Sequence, residues 1–108
     1  MDDRDRIQLI VREYRDRLAE ILGEELESVV LYGSHAREDA EEASDIDVLC
    51  IMRSPFDYGE MIRKTAEAAS KISLKYEVVI STSFVVSEDY RSRNTPFLMN
   101  VRKEGVAI

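Results

Sequence analysis

Two aspartates one residue apart, Asp45 and Asp47, open the apolar run Val48-Leu49-Cys50-Ile51-Met52. Side chains alternate along a strand, so residues two apart share a face. At a rise of ~3.3 Å per residue the two Cα atoms lie roughly 6.6 Å apart. Two carboxylates at that spacing repel by about 2.5 kcal/mol at an effective dielectric of ~20. A divalent cation turns the repulsion into binding. Carboxylate oxygens suit hard ions, Mg²⁺ above all, and Mg²⁺ commonly brings phosphate oxygens with it. Leu49 and Ile51 continue the same face, so the acidic pair stands at the mouth of an apolar surface.

A second feature lies just upstream, where Val29-Val30-Leu31-Tyr32 runs into Gly33-Ser34. A strand that ends in Gly-Ser before a helix offers backbone N–H groups, a hydroxyl and the positive end of a helix dipole. Gly33 lets a ligand approach the backbone. A phosphate cradle beside a cation site is what a nucleoside triphosphate with Mg²⁺ requires. Ser34 is placed to contact phosphate and to cap the short helix, and Arg37 to reach a phosphate or the substrate. Ser44 is expected to fix the loop before Asp45 through local hydrogen bonds. Glu41 and Glu42 read as a solvated connection, and His35, the one histidine, as exposed and without a role.

The stretch Gly-Ser-x-Ala-Arg-x-x-Ala-x-x-x-Ser-Asp-Ile-Asp, from Gly33 to Asp47, resembles the signature of the polymerase-beta-like nucleotidyltransferase superfamily. For so short a chain it is most similar to the minimal nucleotidyltransferase (MNT) domains that act as antitoxins to HEPN toxins. The resemblance implies an α/β (α+β) fold, a small mixed sheet with helices packed on it, with 1–108 as one minimal domain. It implies transfer of AMP from ATP to a hydroxyl, a tyrosine of a HEPN partner. Gly33, Ser34, Arg37 and Ser44 would hold the nucleotide. A third carboxylate on the next strand would join Asp45 and Asp47 around two Mg²⁺ ions, and Glu77, before Val78-Val79, takes that place and would serve as base. The family usually carries Gly where this chain has Glu38, a departure that could alter the turn after Arg37 or set a negative charge near the triphosphate. Two other readings stay open: a non-catalytic module that neutralises a partner by contact, and a transferase acting on a small molecule.

Several elements must position these groups. Ile7, Ile10, Val11, Tyr14, Leu18, Ile21 and Leu22 repeat with the three-four rhythm of one helix face, predicting a helix from about Asp3 to Leu22 that Gly23 ends. Strands are expected over Ser28–Tyr32, Asp45–Met52 and Leu74–Ser81. A helix from about Tyr58 to Ser73, capped by Asp57, joins the last two. Thr95-Pro96 starts a short helix that Gly105 stops. Phe84-Val85-Val86 and Val106-Ala107-Ile108 read equally as core or as a partner surface.

The chain has 108 residues and a net charge of −7. One modest core is within reach of that length. The acidic balance argues against a protein that grips duplex nucleic acid, which needs a basic surface, and suits a small-molecule substrate or a basic protein partner. The one cysteine, Cys50, sits in an apolar run and reads as a buried small hydrophobe. No run approaches the ~20 apolar residues of a membrane span, and the acidic start does not read as a signal peptide. Cytoplasm is the expected location. A homo- or hetero-oligomer is left open.

Overall fold

The computed structural model describes residues 2–41 and 43–108; Glu42, read above as part of a solvated loop, lies outside them. Helix α1 (Asp3–Leu22) begins where the Asp2 carboxylate accepts from the Asp5 amide, and ends at Gly23, whose φ of 58° a side chain would resist. Its apolar stripe of Ile7, Ile10, Val11, Tyr14, Leu18 and Leu22 is buried, while Ile21 falls outside it. Strand β1 (Leu26–Tyr32) turns at Gly33 into a single helical turn, α2 (Ser34–Arg37). Strand β2 (Ile46–Met52) returns antiparallel to β1, with Tyr32 opposite Asp47 and Val30 opposite Leu49.

Helix α3 (Tyr58–Tyr76) starts at Asp57, which accepts from the Glu60 amide. It crosses over to strand β3 (Ile80–Val86), which pairs parallel with β2. Two short helices follow, α4 (Ser87–Ser92) and α5 (Pro96–Glu104). Thr95 caps α5 by accepting from the Leu98 amide, with Pro96 in its first turn. Strand β4 (Val106–Ala107) then pairs with β1 at Val30 and Leu31. The order β3-β2-β1-β4, with one parallel and two antiparallel pairings, is the small mixed sheet expected.

The sheet has two unlike faces. Ile46, Val48, Cys50 and Met52 join α1 and α3 in the main core. Leu49 and Ile51, with Val30 and Val101, form a smaller cluster on the other side, edged by Tyr32, Val85 and Tyr90. The alternation read for Asp47, Leu49 and Ile51 therefore holds.

The third strand is a correction. Leu74, Lys75 and Tyr76 finish α3 and do not start a strand. Glu77 is the left-handed cap of that helix, at φ 55° and ψ 48°, and the amides of Glu77 and Val78 both close on Ser73 O. A short apolar run fits a helix end as well as a strand. Tyr76 decides the matter by packing on the main core and donating its hydroxyl to Glu13 on α1. The strand begins three residues later, and Phe84, left open between core and partner surface, is buried in the sheet. Val106–Ala107 likewise belongs to the sheet.

Candidate active site

The acidic pair lies where β1 and β2 part. Asp45 precedes β2 and is exposed, and Asp47, its second residue, is half-buried. Burial raises the Asp47 carboxyl above the usual aspartate range, and the charge of Asp45 raises it further; His35 and Arg37 pull it the other way. These four groups thus share one electrostatic neighbourhood, although they come from a turn, a loop and a strand.

Gly33 holds the pair against the turn. Its φ of 75° is a left-handed value, and a Cβ built there would collide with the Asp47 carboxylate. Only glycine lets the backbone lie on that side chain. Gly33 is also the cap residue of α2, and its carbonyl accepts from Ala36 and Arg37. Ser34, expected as the cap, is instead the first helical residue, and no side chain caps the turn. With no side chain in the way, its hydroxyl and the first amides of α2 suit an anionic group.

The loop that carries Asp45 is tied as expected for Ser44. Its hydroxyl accepts from the Glu41 amide at 2.9 Å, and its own amide donates to Glu41 O at 3.0 Å. His35, read as exposed and without a role, is half-buried, with Nε2 3.2 Å from Ser44 O. It braces the loop against α2. Glu38, the departure from the resembled motif, adopts φ 64° and ψ 26°, the conformation that favours glycine. Its carboxylate pairs with Arg4 of α1 at 2.9 Å.

Glu77 does not stand with the aspartates. It lines a cleft of about 960 Å³ that reaches His35 and Ser44 at the edge of the aspartate site, with Arg4, Arg6 and Glu38 among its walls and neither Asp45 nor Asp47. Among the described residues no three acidic, histidine or cysteine side chains group closely enough to hold a metal ion. The register sets Ser81, not an acid, beside Asp47. A site of two aspartates still fits Mg²⁺, which is commonly held by one or two carboxylates and completes its shell with phosphate oxygens and water. The chemistry of the donor set therefore fits one cation between Asp45, Asp47 and a phosphorylated substrate; among the described residues Glu77 does not join the pair as a third acid.

Three participants escaped the sequence reading. Tyr32 shares the face of Asp47, meets Ser83 Oγ at 3.5 Å and packs edge-on against Phe97 at 5.4 Å; burial raises its phenol. Ser83 sits beside Leu49 on β3. Glu104 accepts from Arg37 at 3.2 Å. Their signals were present only as a tyrosine before Gly-Ser, a serine in an unassigned strand and an acid before a stop glycine.

Three comparisons bear on this site. Residues 11–103 match the model of the nucleotidyltransferase domain family. Two curated proteins of Methanocaldococcus jannaschii, each named "Putative protein adenylyltransferase", are similar to this chain. One is 33% identical over 92% of this chain and 95% of its own length; the other is 34% identical over 88% and 90%. Among solved structures, a Sulfolobus solfataricus protein described as a "putative nucleotidyltransferase" superposes with a TM-score of 0.61 at 17% identity, over 96% of this chain and 80% of that one. A chain of the Shewanella oneidensis complex of a tri-AMPylated HEPN toxin with its MNT antitoxin gives 0.57 at 19%, over 94% and 70%. At such identities the structural likeness is one of fold. The glycine-backed aspartate pair, the family match and the two relatives agree: this chain belongs to the nucleotidyltransferase domain family.

Proposed function

We propose that residues 1–108 act as a minimal nucleotidyltransferase that moves AMP from ATP, with Mg²⁺, to a protein hydroxyl, a tyrosine of a HEPN-type toxin, and so serve as a cytoplasmic antitoxin. The observation that carries the reading is Asp47 packed on the Gly33 backbone, with Asp45 two residues before it. The names of the two archaeal relatives support a protein acceptor, and the AMPylated toxin complex among the fold neighbours supports its class. A net charge of −7 suits a basic partner.

Asp45 and Asp47 would hold the cation, which when bound neutralises triphosphate charge and lowers the pKa of the acceptor hydroxyl. Gly33, Ser34 and the first amides of α2 receive phosphate oxygens, and Arg37 adds a charged donor beside them. Ser44, tied to Glu41 and met by His35, holds Asp45 in place. The acceptor hydroxyl releases its proton to water, its oxygen bonds to the α-phosphorus, and the bond from that phosphorus to pyrophosphate breaks. What these residues contribute is positioning and charge neutralisation. Glu77 takes no part as ligand or base.

The test is transfer of one AMP to a co-expressed HEPN-type protein with Mg²⁺ and ATP, read as intact mass. Asp45→Asn with Asp47→Asn is expected to abolish it, and an unchanged yield removes the reading. A second reading, neutralisation by contact alone, is favoured by Glu77 standing apart from Asp45 and Asp47, with no three-acid group among the described residues. Full protection of cells by the double variant would establish it.

A further inference from the structure

A cavity of about 230 Å³ opens beside Gly33, lined by Tyr32, Gly33, Arg37, Phe97, Asn100 and Glu104 among others. Of the described residues lining it, Arg37 is the one cation and Glu104 the one carboxylate. They lie 67 positions apart in the chain and meet with Nη1 donating to Glu104 Oε2 at 3.2 Å. Asp39 takes the other flank, accepting from Nε at 3.1 Å. Nη2 has no partner among the described residues.

Glu104 reaches this spot because of how α5 ends. A Cβ on Gly105 would come within 2.5 Å of Val101 O and 2.6 Å of Val30 Cγ1. Glycine therefore lets the chain turn tightly onto β1, where Val106 and Ala107 pair with Leu31 and Val30. That pairing pins the last residue of α5 next to the β1–α2 turn. Arg37, by contrast, ends a helix of only four residues, which positions a long side chain poorly. A free guanidinium arm has many rotamers to lose when it is ordered. Gripped on two flanks, it presents a preset donor.

We infer that Glu104 is a positioning residue: it fixes the Arg37 guanidinium beside Gly33 so that Nη2 donates to a phosphate oxygen of the bound nucleotide. The inference rests on the nucleotidyl-transfer reading. It assigns a role in nucleotide affinity to a residue 67 positions from its partner and outside the signature motif.

A double-mutant cycle on the full chain tests it. MgATP binding is measured by calorimetry for the unsubstituted chain, Glu104→Ala, Glu104→Gln, Arg37→Ala, and Arg37→Ala with Glu104→Ala. Glu104→Ala is expected to weaken binding about tenfold while the maximal transfer rate falls less than threefold. Glu104→Gln, whose amide oxygen still accepts from Nη1, recovers most of the affinity. With Arg37 already removed, Glu104→Ala adds less than twofold. A further tenfold loss in that background overturns the inference, since Glu104 then acts through the fold of α5. Tighter binding by Glu104→Ala overturns it as well, by making Glu104 a competitor of phosphate. No MgATP binding by the unsubstituted chain ends the nucleotidyl-transfer reading itself, and this inference with it.

Discussion

Gly33 and Asp47 are in contact across the β1–β2 pair, backbone against carboxylate, with no room for a Cβ between them. The motif glycine is therefore a support for the acidic pair as well as a bend. Gly33→Ala must either push Asp47 aside or move the turn, and it also places a side chain at φ 75°. A cost of roughly 1–3 kcal/mol follows from the backbone conformation alone. Transfer activity is expected to fall at least a hundredfold, with Tm reduced by several degrees. An alanine variant as active as the unsubstituted chain removes this support role.

Asp47→Asn separates stability from chemistry. Burial and the Asp45 charge both disfavour the Asp47 carboxylate, so at neutral pH its charge works against the fold. The neutral isostere is expected to raise stability slightly, by less than about 1 kcal/mol because the group is partly in water. It removes transfer at the same time. Denaturant unfolding beside an AMP-transfer assay checks both halves.

Glu38 and Glu77 are the two non-glycine residues at positive φ among the described residues. Glycine at either site relieves a left-handed strain, offset by the entropy that glycine loses on folding. Glu38→Gly and Glu77→Gly should each stabilise by about 0.5–1 kcal/mol. Because Glu77 forms no three-acid group with Asp45 and Asp47 among the described residues, Glu77→Gly should also leave the transfer rate within twofold. A large rate loss there, with the fold intact by circular dichroism, restores Glu77 to the site.

Alkaline pH should unfold the protein ahead of any change in the motif. Burial pushes the Cys50 thiol and the Tyr14 phenol each up to about 12 from 9.0 and 10.0. Between those limits the unfolded chain releases protons that the folded one keeps, so stability falls as pH rises from about 9. Tyr14→Phe should flatten the part above pH 10. At neutral pH it costs about 1 kcal/mol for the lost bond to Thr82 Oγ1, 2.8 Å away. Urea midpoints from pH 8 to 11 test the slope.

What was legible in the chain was mostly local. The Asp57 and Thr95 caps each bond an amide three residues on. The Ser44 turn to Glu41 spans three residues as well. Such signals need nothing beyond neighbouring residues. β3 was misplaced because Ser81, Thr82 and Ser83 break its apolar pattern while Leu74–Val79 supplies a better one. Only pairing with β2 shows that the polar segment is the strand.

The sequence by itself determined the motif, the alternation that puts Asp47, Leu49 and Ile51 on one face, and the long helix that backs the sheet. These follow from periodicity and from backbone sterics, which act over a few residues. The tertiary structure decided what stands around the aspartates: Ser81 in the place foreseen for Glu77, Glu104 on Arg37, and Glu38 turned to Arg4. Those neighbours depend on strand register and on where helix α3 ends. Both are set by contacts between residues tens of positions apart, which no local pattern encodes.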